Sequence, residues 1–458
     1  MHPLRRITLG FVLFSVLGAL IWGAVMVVRL APIGTAYTAK TLCSGVFVSG
    51  RMAQSVIAED ILAENHPLLQ LVTPQLDAKR RRASATFLGF AERVAQFRNG
   101  LGCTLALGVE PESLAQVDGA LPALQPAELL PTGPLPGRAD PSRVAALLDK
   151  AFASPRAHTR AVAVLYDGHV IAERYAPGFS AVTPMPGWSM TKTATAVLAG
   201  MLLGRGQLSL EQGNLLREWA EPGDARAAIS VEQLLHMTDG LYFDERTGDP
   251  LSDVVQMLLT TGDASGFAAA KPLRTAPGAK WRYASGTTNV LMRVLRRQSR
   301  LPPDAFARLP REALFEPLGM HSATIETDAT NLPVGSSFMW ASAHDWLRFG
   351  QFLMQDGVWQ GERLLPQGWV PFMRKVVPQA PQHNFGGHLW LQIPEPYNGR
   401  APGASPLPAD AFHLVGHEGQ LLSVIPSRRL VVLRLGITRE RFAWDHQAFL
   451  AQLLAALD

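Results

Sequence analysis

Near the start of the chain Arg5 and Arg6 precede an uncharged and strongly apolar run from Ile7 to Val28. As a helix those roughly 22 residues measure about 33 Å, enough to cross a bilayer. A cleavable signal has a shorter apolar core of roughly 7–15 residues ending in small residues, so the pattern predicts an uncleaved signal anchor over residues 1–34. Two arginines on a very short leading tail favour that tail in the cytoplasm, although Arg29 and Lys40 lie on the far side. The expectation is a single-pass inner-membrane protein with the rest of the chain in the periplasm or exterior.

Beyond the anchor the periodicity predicts a small module, residues 35–108, with a helix near Met52–Glu64 and an alternating strand Ala83–Phe90. Residues 109–140 are rich in Pro, Gly, Ala and Leu without periodicity, which reads as a linker or a loosely wrapped connection. The main domain is expected over 141–458. Two strand-like runs, Arg160–Tyr166 and His169–Tyr175, flank Asp167-Gly168, a favoured two-residue hairpin turn. A second pair, Gln420–Ile425 and Leu430–Leu435, flanks Pro426–Arg429, and an amphipathic helix follows from Asp445 to Leu457. Between them lie an apolar helix-like run, Thr193–Leu203 with Gly204 as its cap, and a capping-box variant at Ser342 and Asp345. Strands at both ends with helices between predict an α+β domain, its antiparallel sheet built from both termini.

Composition changes this picture little. With 458 residues, 47% of them hydrophobic, the chain can bury a large core, and its net charge of +4 is small for that length. The one dense basic cluster, Lys79–Arg82, reads as a solvated turn, so nucleic acid is not expected as a partner. The two cysteines, Cys43 and Cys103, both fall in the small module. In an oxidising compartment they would form a disulfide, although two reduced core cysteines would leave the same sequence.

The chemistry begins at Ser189-Met190-Thr191-Lys192. Helical positions three apart share a face with Cβ atoms roughly 5–6 Å apart, so the lysine amine can lie beside the serine hydroxyl. A serine needs such a base to become a nucleophile, and a lysine can be that base if burial lowers its pKa. A helix N-terminus also offers N–H groups to an oxyanion. Tyr283, two residues before Ser285, could carry the travelling proton if a cation such as Lys192 depressed its pKa; the alternative is an ordinary half-buried tyrosine. At His417-Glu418-Gly419 the glycine permits close approach of a ligand, and the following Gln420 N–H could face a carbonyl oxygen. His413 and His417, four apart on a strand, with His383 and His388 upstream, raise a metal site, but no His-Glu-x-x-His or closed ligand set accompanies them, so no metal is expected.

In this order the motifs resemble the serine β-lactamase and penicillin-binding-protein superfamily, in the branch that includes class C enzymes, esterases and 6-aminohexanoate-dimer hydrolases: Ser-x-x-Lys, then Tyr-x-Asn or Tyr-x-Ser, then Lys-Thr-Gly or His-x-Gly. Leu234–Leu241, Pro277–Gly286 and Gly416–Gln420 carry the resemblance further, over about Pro141 to the C-terminus, and Leu42–Arg51 looks like the leader of some anchored relatives. The resemblance implies a β-lactamase/transpeptidase-like fold with an all-helical region beside the sheet. It also implies acylation of Ser189, with Lys192 and Tyr283 as general base and acid, the backbone N–H groups of Ser189 and Gln420 as oxyanion hole, and no cofactor.

Two departures shape the expected substrate. His417 stands where many β-lactam-binding relatives have lysine, and Ser285 where many have an amide, so a permanent cation and an amide donor are both missing. They point to an esterase or amidase acting on a small or linear molecule, with slow or absent acylation by penicillin. A peptidoglycan-directed D-amino-acid peptidase, and a non-catalytic cell-envelope binding module on the same fold, are the rival readings.

Overall fold

The computed structural model describes residues 3–63, 65–116, 124–399 and 407–458, with side chains before residue 25 described only in part. Its first element is one long helix, α1 (Pro3–Phe47). The predicted boundary at residue 34 falls inside it, since Pro32 and Gly34 do not end the helix. Much of the Ile7–Val28 stretch lies outside the described side chains. Among the described residues no helix is long and apolar enough to cross a membrane, and most of the run that carries the predicted transmembrane helix lies outside them.

The C-terminal half of α1 packs on a four-stranded antiparallel sheet, β1 (Val72–Asp77), β2 (Arg82–Phe87), β3 (Phe90–Arg98) and β4 (Gly102–Leu105), paired in chain order. The predicted strand Ala83–Phe90 is therefore two strands, broken by a turn where Leu88 and Gly89 both take positive φ. The predicted helix near Met52 begins at Ala53 and continues as a π-helix over Val56–Leu62, and Glu64 lies outside the described residues. Cys43 on α1 and Cys103 on β4 form a disulfide at the centre of this small core.

The predicted linker includes a short helix, Pro111–Gln116; residues 117–123 of it lie outside the described set. From residue 124 it lies against the main domain. The Leu130 N–H donates to His344 Nδ1 at 2.8 Å, Arg348 Nη1 donates to the Glu128 carbonyl at 2.6 Å, and Thr132 bridges Val170.

The main domain follows with α2 (Pro141–Ala153), β5 (Thr159–Tyr166), β6 (His169–Tyr175), α3 (Thr191–Gly204), α4 (Asp253–Leu259), α5 (Ser285–Ser299), α6 (Ala343–Met354), β7 (Phe412–Gly416), β8 (Gln420–Ile425), β9 (Leu430–Gly436) and α7 (His446–Leu457). Its five-stranded sheet is antiparallel in the order β7-β8-β9-β5-β6, so the two hairpins join where β9 pairs with β5, as the sequence predicted. The first hairpin turns at Asp167-Gly168, both at positive φ. On β5, Ala161, Ala163 and Leu165 face the large core under α3, α5 and α6, while Val162 and Val164 face α2 and α7. Helices covering both faces explain why this strand is buried along nearly its whole length rather than alternating.

The capping box expected at Ser342 is only half present. Ser342 Oγ accepts the Asp345 N–H at 3.2 Å, but the Asp345 carboxylate accepts from Ser322, whose hydroxyl in turn accepts the Ser342 N–H. A complete box occurs instead at Ser230 and Gln233.

Candidate active site

Ser189 lies in a single 3-10 turn, Trp188–Met190, leading into α3. The chain enters that turn tightly. A Cβ on Gly187 would stand 2.3 Å from the Trp346 ring, and Trp188 takes a φ of 47°. Positive φ at a bulky residue is costly and persists only when its surroundings enforce it. Thr191 Oγ1 donates to the Trp188 carbonyl at 2.6 Å and accepts the Met339 N–H at 3.0 Å, clamping the turn.

One helical turn on, Lys192 is buried and its Nζ lies 2.8 Å from Ser189 Oγ, 3.0 Å from Ser285 Oγ and 3.0 Å from the Ser336 carbonyl. Counting protons assigns the roles. The Ser336 carbonyl can only accept, and Ser285 Oγ donates its own proton to Glu245, so it too accepts from Lys192. A neutral amine has two N–H donors, which these acceptors use, and its lone pair is then left for the Ser189 hydroxyl. Burial pulls the Lys192 pKa down to about 8, opposed by the negative charge of Glu245. Asn289 on α5 fixes the carbonyl end of this arrangement by accepting the Ser336 N–H at 3.2 Å.

Glu245 is the residue that sequence reasoning missed. Its carboxylate accepts the Ser285 N–H at 2.8 Å as well as the Ser285 hydroxyl, capping α5 from a distant loop and setting a negative charge opposite Lys192. Burial pushes its own pKa up, and Lys192 pulls it back. It belongs to the unpatterned loop after Phe243, where no period singled it out.

Lys192 Nζ sits 4.9 Å from the centre of the Tyr283 ring, which places the tyrosine beside the Ser189–Lys192 pair. Trp390 stacks on the tyrosine at 5.5 Å and Phe385 meets it edge-on at 6.0 Å, so the loop after Val376 holds it from behind. The sequence expectation that Lys192 would depress its pKa is overturned. Burial first, and then the Glu245 charge, push the phenol well up, so Tyr283 keeps its proton.

The third motif forms the turn His417–Gly419 between β7 and β8. The His417 ring meets Trp188 edge-on at 5.6 Å, bringing the turn beside the serine. Gly416 must be glycine for that approach, because a Cβ there would stand 2.2 Å from the Gly187 carbonyl. Gly419 takes a φ of 83° and its carbonyl accepts from buried Arg434 at 2.8 Å. The Gln420 side chain donates to the carbonyls of His417 and Gly436 and accepts the Gly436 N–H, tying this turn to the end of β9.

Two of the histidines weighed as ligands, His413 and His388, are buried in other contacts. His413 Nδ1 pairs with Ser423 Oγ at 2.8 Å, and His388 bonds the Leu235 carbonyl and Thr288 Oγ1. Burial lowers both to a pKa of about 3, leaving them neutral. Among the described residues no cluster of three or more His, Cys, Asp or Glu side chains is placed to hold a metal ion. Ser189, Glu245, Ser285 and His417 are among the residues lining a mainly apolar cavity of about 270 Å³.

A family model described as Beta-lactamase matches residues 144–448. Among curated proteins, the 6-aminohexanoate-dimer hydrolase of Paenarthrobacter ureafaciens is 27% identical over 222 residues, which is 46% of this chain and 56% of that relative, so the chain spans little more than half of its length. Among solved structures, a Bacillus anthracis protein named after 6-aminohexanoate-dimer hydrolases superposes with a TM-score of 0.56 at 19% identity, covering 72% of this chain and 87% of the other. A penicillin-binding-protein homolog from Caulobacter crescentus gives 0.54 at 18% identity, covering 71% and 99%. These structural likenesses bear on the fold alone.

Proposed function

The chain belongs to the Beta-lactamase family, and on that premise we propose that it is a serine hydrolase that opens an ester or amide bond through an acyl-Ser189 intermediate. The observation that carries this reading is the buried Lys192 amine 2.8 Å from Ser189 Oγ, with its other two positions satisfied by acceptors. Ser189 Oγ forms a bond to the substrate carbonyl carbon as its proton passes to Lys192. The oxyanion is met by the backbone N–H groups of Ser189 and Gln420. When the carbon–leaving-group bond breaks, Tyr283 hands its proton to the departing atom and is reprotonated from the Lys192 ammonium. Water then attacks the acyl group by the same relay in reverse, restoring Ser189 and releasing the acid.

His417 and Ser285, in place of a lysine and an amide, favour a small or linear ester or amide over a β-lactam, so benzylpenicillin is expected to acylate Ser189 slowly or not at all. The Ile7–Val28 run is proposed as an inner-membrane anchor with the domain in the periplasm. The Cys43–Cys103 disulfide supports an oxidising compartment.

The test is hydrolysis of p-nitrophenyl acetate and butyrate by the wild type beside Ser189→Ala, Lys192→Ala and Tyr283→Phe. Turnover abolished by Ser189→Ala and reduced roughly 10²–10⁴-fold by Tyr283→Phe is the expected pattern. Turnover that survives Ser189→Ala would refute it.

A further inference from the structure

The cavity beside Ser189 extends much further than a small acyl group needs. One wall is α1, which contributes residues from Thr41 back to Val27. Fourteen helical steps are about 21 Å, and a zig-zag hydrocarbon built of about 1.5 Å bonds covers that distance with roughly 16 carbons. The facing walls come from the small module, through Leu69, Val72 and Phe87, and from α4, through Val254, Val255 and Leu258.

Polarity is graded along this length. Glu245, Ser285 and His417 gather at the Ser189 end. Lys40 also borders the cavity, but its ammonium is committed to Glu326, Ser44 and the Cys103 carbonyl. Further along, Tyr37 and His66 interrupt a lining that is otherwise mainly aliphatic, and a polar substrate there would lose most of its water contacts without replacement. The far end reaches Val27, at the edge of the apolar Ile7–Val28 run.

Next to that end the surface is unusually apolar. Val28 is 67% exposed, Leu88 66%, and Leu71 and Phe90 each 44%. Leu71, Leu88 and Phe90 belong to one neighbourhood, since the Leu88 N–H donates to the Leu71 carbonyl, and α1 borders it where the Thr35 hydroxyl donates to the Ala91 carbonyl at 2.7 Å. A cluster of this kind, close in sequence to the lining residues Leu69 and Phe87, marks a surface that meets apolar material.

We infer that the substrate is an amphiphile whose scissile ester or amide carries a single long hydrocarbon chain, seated along α1 with the reacting carbonyl at Ser189. This rests on the acyl-serine reading and names its substrate class. The chain does not react; the bonds made and broken are those at Ser189.

The full-length protein is assayed with p-nitrophenyl acetate, butyrate, octanoate and dodecanoate, and with dodecyl acetate against ethyl acetate. Each is tested as monomer and dispersed in phosphatidylcholine vesicles. Each methylene is expected to raise kcat/KM about two- to fourfold until the cavity is filled, in the acyl series if the chain lies on that side and in dodecyl acetate if it lies on the alcohol side. Gain only in vesicles identifies a membrane-borne source, and gain in both a soluble amphiphile. Val255→Trp narrows the cavity from α4. Gly34→Leu narrows it from α1, where an added Cβ makes ordinary contacts of 3.4 Å with Leu69 and 3.6 Å with Val72. Either should lower the ratio of long-chain to short-chain kcat/KM at least about tenfold. Activity that falls with chain length in both series, or a ratio unmoved by both variants, would overturn the inference while leaving the acyl-serine reading intact. Absence of turnover and of any acyl-Ser189 would overturn both.

Discussion

At the scale of single residues, the site turns on one amine and the charge opposite it. Only the free amine of Lys192 can take the Ser189 proton, so kcat/KM should rise with pH, about tenfold per unit, toward a plateau with its midpoint near a Lys192 pKa of about 8. Glu245 raises that pKa, so Glu245→Gln should move the midpoint acidward, on the order of one pH unit. A pH profile of ester hydrolysis for the two proteins reads this directly, and an unmoved midpoint would remove Glu245 from the pair. Tyr283 keeps its proton throughout this range and should add no second limb. The Ser189–Lys192 pairing was legible in the sequence because helical spacing is local and fixed. Glu245 was not, because its partner Ser285 is 40 residues away and the intervening loop has no period. The rise in the Tyr283 pKa was hidden as well, since burial, its main cause, and the Glu245 charge both arise from tertiary packing.

At the scale of elements, the sheet was readable and the small module less so. Asp167-Gly168 and the alternating runs on either side specify a hairpin by themselves, and the late hairpin is equally local. The end of the first apolar run at Arg29 looks like the end of a helix, yet α1 continues to Phe47 because its later polar residues find distant partners. Lys40 is the clearest case. Its ammonium meets Glu326, which also accepts from Ser44 Oγ at 2.7 Å, the Cys103 N–H at 2.6 Å and Trp340 Nε1 at 2.9 Å. This buried carboxylate joins the small module to the main domain. Glu326→Ala leaves Lys40 buried without its counter-charge and should lower stability by about 3–5 kcal/mol in denaturant titration. Replacing both, as Lys40→Met with Glu326→Gln, should recover much of that loss. A Glu326→Ala protein as stable as wild type would show that the junction does not depend on this pair.

For the whole molecule, the order of motifs, Ser189 before Tyr283 before His417, follows from the fold. Helix α3, the loop before α5 and the β7–β8 turn converge only because the two ends of the domain close one sheet, placing β7 and β8 beside the turn that carries Ser189. The small module, which the sequence predicted as a separate unit with no part in the site, supplies a wall of the cavity that opens on the same serine. Periodicity could not reveal that role, because it depends on how α1 lies across two cores.

The most direct test of acyl-serine chemistry is intact mass after rapid quenching of wild type and Ser189→Ala with p-nitrophenyl acetate, followed by peptide mapping. The expected result is one acetyl group per chain, mapped to Ser189 and absent from the variant. An equal adduct in Ser189→Ala, or wild-type turnover with no acyl-serine at any quench time, would contradict it.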